Sequence, residues 1–112
     1  MTQSTPMHVV DLAAVARFSS ERMQKVSILD SPRMFFDLYC LVPGQSQRPH
    51  RHEGSDKVYV VLEGRVRVTV DGEARDVDAG HAVVCPAGLD HGVSNPGPAR
   101  ATLLVAMAPR PE

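Results

Sequence analysis

Long apolar runs are missing from this chain. No segment approaches the roughly 20 consecutive apolar residues that a membrane-spanning helix needs. Residues 1–7 carry neither the positive charge nor the apolar stretch of a secretory signal peptide. We therefore expect a protein that does not associate with membranes and that resides in the cytoplasm.

Cysteine and clustered charge are equally scarce. The two cysteines, Cys40 and Cys85, lie far apart and form no CxxC pair, so we expect reduced thiols in the core rather than zinc ligands or a disulfide. The 12 basic and 13 acidic residues are dispersed and give a formal net charge of −1, which argues against a nucleic-acid-binding surface. No phosphate-binding loop and no nucleophile paired with a base stands out, so no familiar catalytic class is named by the sequence.

Short apolar or alternating segments make up most of the chain, separated by nine prolines and eight glycines. Short strand-like segments separated by turn-forming residues are typical of an all-β protein. Residues 65–70 alternate polar residues with valines, which predicts a strand with one buried face. A short helix is predicted at residues 12–17, capped by Asp11. Eight strands are predicted, at residues 24–29, 34–42, 58–62, 65–70, 74–77, 81–85, 91–94 and 101–107.

Two turn signals lie in the middle of the chain. Asp71-Gly72 predicts a tight hairpin, because both central positions of such a turn favour positive φ. A second turn at Glu63-Gly64 is expected to join the strands on either side of it. Residues 58–77 should then form a three-stranded meander.

Histidine is the residue type that most suggests chemistry here. His50 and His52 are two apart, and on an extended chain their rings point to the same side and can converge. His91 follows a turn and can supply a third imidazole, and three imidazoles with open coordination positions are typical of a catalytic metal site. The alternative is that His50 and His52 are ordinary loop residues. His8 and His81 are expected at the surface.

The three histidines belong to two spaced patterns. The first consists of Gly44, His50, His52, Lys57 and Gly64. The second consists of Gly80, Pro86, Gly88, His91 and Asn95. The patterns resemble the two motifs of the cupins: glycine, five residues, His, one, His, three or four, Glu, six, glycine; and glycine, five, Pro, one, glycine, two, His, three, Asn. Nine of the ten positions match, and only the glutamate is replaced, by Lys57.

The resemblance implies a cupin-type double-stranded β-helix, or jelly-roll barrel. One domain would span residues 1–112, with a barrel core at about 34–108 and an N-terminal arm at 1–33, and members of the family usually form homodimers. In many members three histidines and the glutamate hold a divalent metal. By this resemblance the metal ligands would be His50, His52 and His91, and the metal would be Fe, Ni, Zn or Mn, or absent because the motif glutamate is Lys57.

The family does not name a reaction, because this fold carries oxygenases, isomerases, decarboxylases, binding proteins and storage proteins. Three functions stay open. The first is a metal-binding cupin that acts as an oxygenase or isomerase on a small polar molecule. The second is a metal-free cupin that binds a small ligand, such as an anion held by Lys57, without catalysis. The third is a structural dimer with an inert pocket.

Lys57 is the departure that matters most for these alternatives. At about 5 Å from a divalent ion, its ammonium would be repelled by about 6 to 7 kcal/mol at an effective dielectric of ~20. Lys57 can avoid this by pairing with Glu53 or Asp56, by losing its proton, or by the absence of metal; Asp56 can also replace the glutamate. By strand alternation Lys57 and Tyr59 are expected to line the pocket, whereas Asp56 faces outward. A buried Tyr59 with a structural hydrogen bond is the alternative for that residue.

Overall fold

The computed structural model of the chain describes residues 6–111. Over this range the chain forms one short helix and nine strands. In chain order they are α1 (Leu12–Val15), β1 (Gln24–Asp30), β2 (Phe35–Leu41), β3 (Ser46–His50), β4 (Asp56–Glu63), β5 (Arg65–Val70), β6 (Glu73–Asp78), β7 (Ala82–Cys85), β8 (His91–Ser94) and β9 (Ala101–Ala108).

The strands form two antiparallel sheets. The order is β1-β2-β9-β4-β7 in the five-stranded sheet and β3-β8-β5-β6 in the four-stranded sheet. Inward-facing residues of both sheets pack into one core, so the predicted all-β fold is confirmed. The core includes Tyr39, Leu41, Tyr59, Val61, Val66, Val68, Val93, Leu103 and Val105.

The two turns in the middle of the chain behave differently. β5 and β6 form the predicted hairpin, with φ of 50° at Asp71 and 83° at Gly72. The predicted meander is wrong, because β4 lies in the five-stranded sheet and β5 in the other. Gly64 turns the chain between the sheets with φ of 78°, and a Cβ there would lie 2.5 Å from the carbonyl oxygen of Arg100. Only glycine fits at this position. The turn at Gly64 thus joins a strand of one sheet to a strand of the other, rather than two neighbouring strands of the same sheet.

β3 is a strand that the sequence analysis did not predict. It is short, polar and contains a proline, so it lacks the alternation that marks the other strands. It pairs with β8, and this pairing places His50 directly opposite His91. The strand that was missed is therefore one of the two that build the histidine cluster.

The N-terminal part of the chain contributes to the sheet. β1 pairs with β2 along its length, so the five-stranded sheet begins at Gln24. Before it, α1 is shorter than the predicted helix and ends at Val15. The Asp11 carboxylate accepts hydrogen bonds from the N–H groups of Ala13 and Ala14, as expected of a capping residue. Within residues 6–111 no helix is long and apolar enough to cross a bilayer.

Both cysteines lie in the core. Cys40 and Cys85 are buried free thiols. Burial raises the pKa of both, and raises that of Cys85 to about 11. Because the thiolate is the reactive form, burial suppresses nucleophilic or redox chemistry at these positions.

Candidate metal centre

Three histidine rings come together where β3 ends and β8 begins. The ring centroids of His50 and His91 are 4.5 Å apart. His52, two residues beyond the end of β3, has its ring 5.0 Å from that of His50 and 5.6 Å from that of His91. One ring nitrogen from each residue lies within 4.8 Å of the others. This is close to the roughly 3 to 4 Å that separates nitrogen ligands sharing one ion at about 2.1 Å each.

His91 is the buried member of this cluster. It is 1% exposed, and neither ring nitrogen has a hydrogen-bond partner among residues 6–111. Burial lowers the pKa of His91 to about 4, and the charges of Lys57 and His50 lower it further. The backbone carbonyl of Leu89 has a smaller, opposite effect, although it does not reach hydrogen-bonding geometry. The ring is thus neutral at physiological pH, which is the form in which imidazole binds metal.

His50 and His52 complete the cluster from the more exposed side. The Nδ1 atom of His50 lies 3.0 Å from the carbonyl oxygen of Arg48. A proton on Nδ1 satisfies this contact and leaves the lone pair of Nε2 free. The pKa of His52 is lowered by burial and by the charges of His50 and Lys57. The N–H of Gly88 donates to the His52 carbonyl at 2.9 Å, which ties the two motif segments together.

Asn95 of the second motif has a structural role. Its Nδ2 donates to the carbonyl oxygens of Leu41 at 3.0 Å and Ala99 at 2.9 Å, and its Oδ1 accepts from the N–H of Gly97 at 3.1 Å. These bonds fasten the chain just after β8 to the end of β2. Asn95 therefore supports the strand that carries His91 and is not aimed at the cluster.

Lys57 is buried beside the cluster and forms no ion pair with any of residues 6–111. Its Nζ donates to the Oε1 atom of Gln47 at 3.3 Å and lies 5.6 Å and 5.1 Å from the ring centroids of Tyr39 and Tyr59. Burial, together with the charge of Lys25, lowers the pKa of Lys57 to about 8. The ammonium is therefore much closer to losing its proton at neutral pH than an ordinary lysine.

The acidic neighbours that could have paired with Lys57 are engaged elsewhere. Glu53 is exposed and lies 3.6 Å from the guanidinium of Arg51. Asp56 faces outward, and its Oδ1 accepts a hydrogen bond from the N–H of Ala87 at 2.9 Å. Neither residue belongs to the histidine cluster, so the structure does not bring Asp56 to the glutamate's place.

A cavity of about 400 Å³ adjoins the cluster, and His50, His52 and Lys57 are on its wall. Tyr59, which the sequence analysis also expected there, lies in the core behind it, with its ring 6.5 Å from that of His91 and its buried hydroxyl without a partner. The other lining residues were not predicted. They are Lys25, Phe35, Asp37, Tyr39, Gln47, Met107 and Pro111.

A larger groove lies elsewhere on the barrel. It measures about 670 Å³, runs along β6 and β7, and contains none of the three clustered histidines. Its walls combine aliphatic side chains with Arg75, His81 and the acids of β6. The three-histidine cluster, and with it the candidate metal centre, adjoins the smaller cavity.

Comparison with known proteins identifies the same family as the two sequence motifs. The Cupin_2 family, described as a cupin domain, matches residues 37–107. The tetracenomycin polyketide synthase protein TcmJ of Streptomyces glaucescens is 37% identical over 75 residues, which cover 64% of this chain and 50% of that protein. The chain spans between 32% and 62% of the length of the curated relatives that it matches.

Solved structures agree on the fold. The protein TT1209 from Thermus thermophilus is 50% identical with a TM-score of 0.90, and the match covers 94% of this chain and 100% of that one. A conserved protein with a double-stranded β-helix domain from Klebsiella pneumoniae has a TM-score of 0.84 at 20% identity, covering 92% and 90% of the two chains, which is a likeness of fold alone. With both motifs in place and more than half of the chain matched, the chain belongs to the cupin family and folds as its double-stranded β-helix.

Proposed function

We propose that the protein binds one divalent transition metal ion through His50, His52 and His91 and acts on a small polar molecule in the adjoining cavity. The observation that supports this best is the state of His91. Its buried ring nitrogens have no hydrogen-bond partner in the part of the chain that the structure describes, and a buried polar atom without a partner costs about 1 to 3 kcal/mol. A metal bond would satisfy one of these nitrogens, and the other two rings are placed to share the ion.

The donor set suits Fe, Ni, Zn or Mn. Three neutral imidazoles bind such ions and leave further coordination positions open. When bound there, the ion would act as a Lewis acid toward an oxygen of the ligand, and a redox-active ion would add electron transfer. An oxygenase or an isomerase is the reaction class that we propose for this combination.

Lys57 is compatible with this proposal at a modest cost. A charged ammonium close to the ion would be strongly repelled, but an amine with a pKa of about 8 gives up its proton at pH 7 for only about 1 to 2 kcal/mol. As long as no anion occupies the cavity, Lys57 would then be a neutral hydrogen-bonding group beside the ion. Gln47, which accepts from Lys57 at 3.3 Å, keeps the amine in place.

A second candidate function is metal-free binding of a small ligand. It is favoured by one observation, namely that a buried cation stands on the cavity wall at the motif position of the glutamate. In this alternative Lys57 remains charged and contacts an anion. Metal content separates the two candidates.

The oligomeric state that we propose is a homodimer, as the family resemblance implies. Sedimentation equilibrium at micromolar protein concentration should give about twice the chain mass of 12.2 kDa. A single species of the chain mass would reject the dimer without bearing on the metal site.

Elemental analysis of protein purified without added metal tests the proposed function. We expect close to one equivalent of Fe, Ni, Zn or Mn in the wild type and in His81→Ala, an exposed histidine outside the cluster. The double variant His50→Ala/His91→Ala should lose that metal. Equal metal content in all three proteins would contradict the proposal, and a wild type that stays metal-free even after loading would favour the second candidate.

A further inference from the structure

We infer that the small molecule held in this cavity carries a carboxylate, and that Lys57 and Lys25 together bind it beside the histidine cluster. Lys25 was not singled out by the sequence, because it resembles an ordinary exposed charge on an alternating strand. The role of this carboxylate compound as a substrate rests on the proposed function, whereas its binding requires only the cavity.

The two lysines converge on one aromatic ring. The Nζ atom of Lys25 lies 5.5 Å from the ring centroid of Tyr39, and that of Lys57 lies 5.6 Å from the same centroid. Lys25 is placed there by strand pairing, since it is directly opposite Tyr39 in the β1–β2 ladder. All three residues are on the wall of the cavity. Two cationic side chains therefore lie beside Tyr39 on the wall of one cavity, where a bound carboxylate can interact with both.

The positive charge of this pair is only partly offset by neighbouring groups. Among residues 6–111 neither lysine forms an ion pair with a carboxylate. The hydrogen-bond partner of Lys57 is the neutral amide of Gln47, and a buried charge without a counter-charge is costly. Burial and the charge of Lys25 are the two main causes that lower the pKa of Lys57, and a bound anion would oppose both.

Among residues 6–111, Asp37 is the only acid on the cavity wall. Burial raises its pKa above the ordinary aspartate value, and the charges of Lys25 and Lys57 oppose this shift. Even when fully ionised, it offsets only one of the two lysines. Its presence gives the inference a second test, because removing this acid should favour a bound anion.

The rest of the wall suits a compact ligand with an apolar body. Phe35 and Met107 line the cavity together with the polar residues. A volume of about 400 Å³ equals roughly a dozen waters at about 30 Å³ each, so a ligand of the size of benzoate can be accommodated. Benzamide has nearly the same shape without the charge, which makes the two compounds a matched pair.

Isothermal titration calorimetry of chelator-treated protein with benzoate and benzamide tests the inference. We expect benzoate to bind at least about tenfold more tightly than benzamide. Lys57→Met and Lys25→Met should each reduce this preference, whereas Asp37→Asn should increase it. Because Lys25 is exposed, its variant keeps the test informative if Lys57→Met fails to fold.

Several results would overturn the inference. These are equal affinity for the two compounds, binding of neither up to the solubility limit, or an unchanged preference in Lys25→Met. Inorganic phosphate that binds as tightly as benzoate would show a general anion site and would reject the assignment to carboxylates. Metal titration of the same samples separates the two claims: benzoate preference without metal binding would contradict the proposed function alone, and metal binding without benzoate preference would contradict this inference alone.

Discussion

His50 and His91 are directly opposed residues of β3 and β8, and their ring centroids are 4.5 Å apart. The histidine cluster therefore depends on how closely these two strands approach. Gly92, next to His91, permits that approach, because a Cβ at this position would lie 2.8 Å from the backbone nitrogen of Pro49 and 2.9 Å from the carbonyl oxygen of Gln47. The lack of a side chain at Gly92 thus allows the short strand β3 to pack closely against β8.

Gly92→Ala should therefore damage both the fold and the cluster. The added methyl group has to push β3 away from β8, and we expect a loss of about 1 to 3 kcal/mol in the free energy of unfolding together with weaker metal binding. Gly54→Ala is the matched control, since a Cβ there meets nothing within 4 Å. Urea denaturation and metal titration of both variants measure these effects. Unchanged stability and unchanged metal affinity in Gly92→Ala would contradict the close approach of the strands.

Substitution of Lys57 should change metal affinity in a fixed order. Lys57→Glu replaces an amine that must lose its proton with an anionic oxygen ligand, whereas Lys57→Met only removes the amine. Affinity should follow Glu over Met over Lys at pH 7. The gain from Met is limited to about tenfold, because deprotonation of a lysine with a pKa of about 8 costs only about 1 to 2 kcal/mol at pH 7. Isothermal titration calorimetry of the three proteins with metal measures this order. An unchanged metal affinity in Lys57→Glu would mean that position 57 does not face the metal.

The buried amine also predicts a pH dependence of stability. The pKa of Lys57 is lowered from 10.5 to about 8 in the folded chain, so between these values the unfolded chain holds a proton that the folded chain has lost. The cost of burying Lys57 is fully present below pH 8 and disappears as the pH rises toward 10.5. Relative to Lys57→Met, the wild type should gain roughly 1 to 3 kcal/mol in unfolding free energy between about pH 7 and about pH 10. Parallel stability profiles of the two metal-free proteins would contradict the burial of a charged Lys57.

Asn95 provides a prediction that concerns support rather than chemistry. Asn95→Ala removes three hydrogen bonds and leaves the carbonyl oxygens of Leu41 and Ala99 without this partner. We expect a loss of roughly 2 to 4 kcal/mol in unfolding free energy. Under conditions where the variant is fully folded, its metal affinity should stay within about threefold of the wild type, a difference below 1 kcal/mol. A strong loss of metal binding without loss of stability would place Asn95 at the metal instead.

Eight of the nine strands within residues 6–111 and the closeness of two of the three candidate ligands were predictable because they depend on local patterns. Alternation in β5 and the turn chemistry of Asp71-Gly72 specify their own conformation. His50 and His52 are close in sequence, so an extended backbone alone brings them near each other. The convergence of His91 with them was anticipated through the spacing of the two cupin motifs, and the strand pairing explains it.

Other features could not be read from local patterns. β3 has no alternation to reveal it, and the route of the chain at Gly64 depends on the nearby backbone of Arg100. Lys25 reaches the cavity through the register of β1 against β2, which nothing within β1 specifies. These are contacts between segments distant in sequence, and they decide which side chains share the cavity.

Zinc titration of chelator-treated protein, followed by competition with a chromophoric chelator, tests the three-histidine site most directly. The wild type and His81→Ala should bind one equivalent at the same affinity. His50→Ala, His52→Ala and His91→Ala should each bind at least about tenfold more weakly, a loss of about 1.4 kcal/mol or more. Zinc affinity that is the same in His91→Ala as in the wild type would contradict the assignment of these histidines as metal ligands.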